Sequence, residues 1–89
     1  MYDRLTASDI KKMEEEIEYR KVILRPQLLE EVKETRAQGD LSENFEYHAA
    51  KRAKNKNESR IRYLDRKKNL FFLLKYFSFL LVLPYMPSL

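Results

Sequence analysis

Two carboxylates stand where their type and spacing suit chemistry. Asp40 and Glu43 lie three residues apart in Gly39-Asp40-Leu41-Ser42-Glu43. At the start of a helix that spacing lets both side chains face one small volume. A carboxylate pair suits Mg²⁺, which keeps several of its waters and accepts few protein ligands. Two carboxylates do not close a coordination sphere, so the remaining ligands would come from a partner. The same spacing is also that of a capping box, with Asp40 as the cap and Glu43 reaching back to it. The two uses compete for the same oxygens. The one histidine, His48, has no second ligand of the usual kind nearby and is expected as a polar residue of a helical seam. With one histidine and no cysteine, a thiolate zinc site, a multi-histidine metal site and a disulfide scaffold are excluded within this chain.

The charge around the pair is uneven. Residues 40–46 carry Asp40, Glu43 and Glu46 and nothing basic. The next stretch is strongly cationic, with Lys51, Arg52, Lys54, Lys56, Arg60 and Arg62. An acidic knot attracts cations, and a basic strip leading away from it attracts phosphates. A solvated helix face accounts for the same strip. Phe45 and Tyr47 can stack on a base or pack on a neighbouring helix. Leu41, at the apex, is expected at the surface, where a partner pocket can take it.

Helices must hold these residues in place. The 89 residues include one glycine and three prolines, too few breakers for a turn-rich β sandwich or barrel. The chain carries 18 basic and 14 acidic side chains, and with 36% charged residues it cannot build an ordinary all-round core. Thr6-Ala7-Ser8-Asp9 has the form of a helix start, with Leu5 and Ile10 placed for a hydrophobic staple. Apolar residues follow at Ile10, Met13, Ile17 and Leu24, with Arg20 filling one seam position. Pro26 should kink this helix or remove one of its bonds. The stripe resumes at Leu28 or Leu29, Val32 and Ala37, and Gly39 is the natural stop. A second helix is expected to open at Asp40, with a thin seam of Phe45, Ala49, Ala53, Ile61 and Leu64. A connection of a few residues forces the two helices antiparallel. The fold class is therefore all-α: a two-helix coiled-coil hairpin over residues 1–69, with Asp40 and Glu43 at the tip of a rod. Residues 70–89 form an apolar tail, broken mainly by Lys75 and Ser78.

The stretch Gly39-Asp40-Leu41-Ser42-Glu43-Asn44-Phe45-Glu46-Tyr47-His48-Ala49-Ala50-Lys51 resembles the tip signature of the bacterial GreA/GreB transcript cleavage factors. Arg25-Pro26 upstream and Ser59-Arg60-Ile61 downstream are similar as well, and the likeness covers about residues 5–66. The resemblance implies a partner, bacterial RNA polymerase, whose secondary channel the hairpin enters. It implies that Asp40 and Glu43 help hold a Mg²⁺ shared with the polymerase and orient the attacking water. The polymerase, not this chain, would then cut the extruded 3′ end of backtracked nascent RNA. On the same likeness Lys51 falls in a patch that contacts the displaced RNA. Arg52 and Lys54 extend that patch by charge, and Ser42, between the acids, touches the partner's active-site loops, with Leu41 beside it as a further tip contact. A cytoplasmic location follows from the same resemblance.

The family continues into a C-terminal β-rich domain, and nothing resembling it follows Arg66 here. A truncated or frame-shifted homologue is the favoured reading of that departure, and a short paralogue with a helix-extending tail is the next. A membrane anchor is disfavoured, because the apolar run of 14 residues from Leu70 to Leu83 is shorter than the roughly 20 a spanning helix needs and contains Lys75. Self-association through the tail is open. The competing functional reading is a helical interaction protein that occupies polymerase or a membrane surface without chemistry.

Overall fold

The computed structural model describes residues 6–38 and 43–82, all but a few of them helical. Helix α1 spans Ala7–Glu18, a π-helical turn follows over Tyr19–Leu24, and α2 spans Arg25–Ala37. These three run on as one arm. Helix α3, Phe45–Val82, is the other arm and the longest element at 38 residues. The molecule measures 73 × 24 × 23 Å, the rod expected of a hairpin.

The start of α1 is the expected capping box. The Thr6 hydroxyl accepts from the Asp9 backbone N–H at 3.1 Å, and the Asp9 carboxylate accepts from the Thr6 N–H at 3.1 Å. The hydrogen bond from the Thr6 backbone N–H, reinforced by the Thr6 side chain, holds the Asp9 carboxyl below the usual aspartate range, because it favours the charged form. Ile10 is buried, while Leu5, its staple partner in the sequence reading, lies outside the described residues.

Pro26 neither breaks nor sharply ends the first arm. It occupies the first turn of α2, directly after the π-helical turn. There the Arg25 N–H reaches back five residues to the Arg20 carbonyl. A widened turn is one way a helix accommodates a proline, whose ring would otherwise crowd the carbonyl four residues back. The extra residue also rephases the stripe. Its positions are Ile10, Met13, Ile17, Arg20, Leu24, Leu28, Val32 and Thr35, all buried or half-buried. Three successive steps of four carry the stripe across the π turn, where a strict heptad would have turned Gln27 inward. Leu28 rather than Leu29 therefore faces the partner, and Leu29 is 46% exposed. Thr35 takes the last position instead of Ala37, which is exposed.

The seam of α3 departs further from expectation. Phe45, Ala49 and Ala53 are exposed, and the inward positions are Tyr47, Ala50, Lys54, Asn57, Ile61 and Leu64. Their three–four alternation is the phase set by Ile61 and Leu64, carried back toward the tip. Choosing alanines over an asparagine by residue type missed that phase. Asn57 is buried because it has partners. Its side-chain oxygen accepts from the Arg20 guanidinium at 2.8 Å, and its amide nitrogen donates to the Arg20 carbonyl at 3.2 Å. Replacing Asn57 with alanine removes both bonds and leaves a guanidinium and a carbonyl facing an apolar seam. The expected cost is about 1–3 kcal/mol, read as a lower thermal midpoint by circular dichroism. An unchanged midpoint would show the pair to be ornamental.

Ion pairs stitch the arms together and report their direction. Arg25 pairs with Glu58 through two bonds, at 2.7 and 2.8 Å. Glu16 bridges Arg20 on its own arm and Arg60 across the seam, at 2.7 and 3.0 Å. Lys21 meets Asp65 at 3.7 Å, and Lys68 meets Glu14 at 3.9 Å. The pair nearest the tip joins Arg25 to Glu58 and the pair farthest from it joins Glu14 to Lys68, so the arms are antiparallel. Hydrogen bonds from Arg60 and Arg20 hold the Glu16 carboxyl below the ordinary glutamate range, and those from Arg25 do the same for Glu58. Both groups have a folded-state pKa below the unfolded one, so the unfolded chain takes up protons first as acid is added. Their contribution is complete above the unfolded pKa and is lost as pH falls through the depressed values. The melting temperature should therefore hold from neutrality to about pH 5 and drop below about pH 4. A midpoint that climbs on acidification over that window would contradict this assignment.

Beyond Lys68, α3 continues without a break to Val82. Among the described residues, no helix is long and apolar enough to cross a membrane.

Candidate functional site

The tip is assembled by the two helix ends that meet there. Helix α2 closes with the Gln38 N–H donating to the Thr35 carbonyl at 3.3 Å. Helix α3 opens at Phe45, not at Asp40, and its cap is Asn44. The Asn44 side-chain oxygen accepts from the Tyr47 N–H at 3.0 Å, satisfying one of the N–H groups a helix start leaves without an internal partner. The Asn44 amide nitrogen donates in turn to the Thr35 carbonyl, near the end of the opposite arm. One side chain thus caps one helix and ties it to the other. The sequence reading gave the capping task to Asp40 and Glu43. Because α3 begins later, Asn44 takes that task for this helix. The signal was present in Asn44-Phe45-Glu46-Tyr47, since asparagine caps as well as aspartate.

Glu43 is exposed at this end of the rod. Asp40, Leu41 and Ser42 lie outside the described residues, as does Gly39. Among the described residues no three histidine, aspartate or glutamate side chains are grouped to hold a metal ion. Glu43 is a solvent-facing carboxylate that can lend oxygens to a hard cation whose other ligands lie elsewhere.

The aromatic and basic residues behind the tip are sorted by the phase of α3. Phe45 projects into solvent, 81% exposed. Tyr47 is half-buried on the seam side. Its ring meets His48 edge-on, with centroids 5.3 Å apart, and the Lys51 ammonium sits 5.6 Å from its centre. His48 is exposed rather than a seam residue, a correction that follows from the same shift in phase. Lys51 and Arg52 are exposed, while Lys54 occupies a half-buried seam position. Further along the strip, Arg60 is engaged by Glu16, and an Arg62 guanidinium nitrogen donates to the Ser59 hydroxyl at 3.1 Å. The cationic surface nearest the acidic end is therefore Lys51 and Arg52. The Tyr47–Lys51 contact at one helical turn went unnoticed in the sequence, though its i, i+4 spacing predicts it.

The chain has relatives of established type. Residues 4–69 match the family described as "Transcription elongation factor, N-terminal", the GreA/GreB N-terminal domain. Transcription elongation factor GreA of Brucella anthropi is 48% identical over 61 residues, a match covering 68% of this chain and 39% of that protein. GreA proteins of Brucella canis and Brucella suis match to the same extent. The chain thus spans about two-fifths of the length of the curated relatives it matches. No solved structure matches it significantly. The family match ends where the apolar tail begins, and over the hairpin it leaves no ambiguity: this chain belongs to the GreA/GreB family of transcription elongation factors.

Proposed function

We propose that the hairpin enters the secondary channel of bacterial RNA polymerase and stimulates the polymerase's own cleavage of backtracked RNA. The chain is a cofactor in this reading, not a nuclease. One observation carries it: an exposed Glu43 at the far end of a narrow rod, beside a helix whose start is already capped by Asn44. A slender hairpin with a free carboxylate at its apex can deliver that group deep into a partner's cleft. Asp40 and Glu43 would hold the Mg²⁺ together with ligands from the polymerase. When bound, such an ion neutralises developing charge at a phosphoryl centre and activates water. The chain's own part is to place two anions and keep them there. Leu41 and Ser42 sit between the acids in the sequence and would contact the channel walls. Lys51, with Arg52 beside it, would meet the phosphates of the extruded RNA 3′ end, while Lys54 is turned toward the seam. The action is cytoplasmic, where transcription takes place in bacteria.

The test uses stalled, backtracked elongation complexes with Mg²⁺ and the chain in excess. The wild-type chain should shorten the RNA from its 3′ end and should leave free RNA intact. Equal shortening by a chain carrying Asp40→Asn and Glu43→Gln would overturn the metal role.

A further inference from the structure

The last stretch of α3 has no counterpart in the tip's chemistry. From Leu70 to Val82 the helix runs for 13 residues, about 20 Å at 1.5 Å per residue. Its apolar side chains are exposed on almost every side: Leu70 is 54% exposed, Leu73 49%, Leu74 54%, Phe77 52%, Phe79 61% and Leu81 69%. Only Lys75 and Ser78 interrupt them. Lys75 and Ser78 continue the inward stripe of Ile61 and Leu64, on which Lys68 is already paired with Glu14. Phe71 shares that stripe, with the Lys75 ammonium 5.5 Å from its ring centre. Behind the apolar stretch stand Arg66, Lys67 and Lys68, and no acidic residue occurs after Asp65.

A helix that is apolar nearly all round needs a covering that is also all round. A second tail laid alongside would cover one stripe and leave the other faces in water. A lipid leaflet covers every face but the one turned to its headgroups. The exposed Arg66 and Lys75 are both cationic, which complements anionic headgroups, and a long lysine stem can keep its ammonium at the surface while the helix sinks. The length also fits. Crossing the roughly 30 Å hydrocarbon core requires a longer run, but lying within one leaflet does not. We propose that residues 70–82 bury lengthwise in one leaflet of an anionic bilayer, with Lys75 and Ser78 kept at the headgroups and the hairpin on the headgroup side. This goes beyond the polymerase reading and does not depend on it.

Flotation of the full chain with vesicles tests the idea. One set contains phosphatidylglycerol in phosphatidylcholine, and the other contains phosphatidylcholine alone. The chain should float with the anionic set and bind the neutral set on the order of tenfold more weakly or worse. Leu73→Asp with Phe77→Asp should reduce flotation to background. Arg66→Glu with Lys75→Glu should remove the preference for the anionic set. Both pairs of changes lie outside the buried seam, and an unchanged melting curve confirms that the hairpin persists. Failure to float with either set would overturn the proposal, as would equal flotation with both. So would wild-type flotation by the Leu73→Asp, Phe77→Asp chain. A stable oligomer that ignores vesicles and needs the tail would assign the apolar surface to a second copy and refute the lipid assignment.

Discussion

Leu64→Ala is expected to cost the hairpin about 2–5 kcal/mol, enough to remove most of its folded population at physiological temperature. Leu64 is 2% exposed, the most deeply buried of a short set that otherwise comprises Ile10, Ile17, Ala50, Ile61 and the polar Asn57 among the described residues. A two-helix rod has little other apolar burial to draw on. Small domains retain only about 0.05–0.15 kcal/mol per residue of net stability, so the loss of one central leucine is a large fraction of the total. The rod cannot readily collapse around the gap, because ion pairs on both sides hold the helices at their present spacing. Thermal melts followed by circular dichroism check the effect. Leu29→Ala is the control, since a half-exposed leucine on the outer face of α2 should change stability by no more than about 0.5 kcal/mol. If both substitutions shifted the midpoint equally, the seam assigned here would be wrong.

The second large effect concerns the tip. Asp40→Asn with Glu43→Gln should abolish stimulated cleavage while leaving the melting curve within error of wild type. The stability half of that expectation follows from Asn44. Because Asn44 caps α3 and ties it to Thr35, neutralising Glu43 takes no capping bond from that helix. The functional half follows from charge. An amide keeps the shape of a carboxylate but offers a hard cation a far poorer ligand. The loss should exceed the roughly 10–100-fold that removing an outer-shell partner of a metal costs. The two measurements together separate chemistry from folding. Loss of cleavage accompanied by a collapsed melting curve would mean that the acids hold the tip in shape. Retained cleavage would mean that the rod acts by occupying the channel.

Much of this architecture is legible from the residues alone. The capping box at Thr6 and Asp9 is a short-range pattern, satisfied within one turn, so it survives any tertiary context. The hairpin follows from two long helical stripes joined by a few residues. The all-α class follows from the scarcity of glycine and proline. The exposed Glu43 carboxylate is a matter of residue type and order. The phase of the seam lies beyond such reasoning. A stripe of alanines and a stripe through Asn57 are both compatible with helical spacing, and only the opposite arm selects between them. Arg20 supplies the bonds that let an asparagine be buried, and its position depends on the π-helical turn beside it. That turn is itself a compromise between Pro26 and the need to keep Leu28 facing inward.

The chain's own order of residues thus determined what the rod is made of, that it doubles back, and which groups it carries to its end. Packing decided which side of α3 faces inward, and with it the exposure of His48 and Phe45. The physical reason is range. Caps and turns are settled by neighbours within one helical turn, whereas burial of a polar side chain depends on a partner about 37 residues away in the chain, as Asn57 is from Arg20.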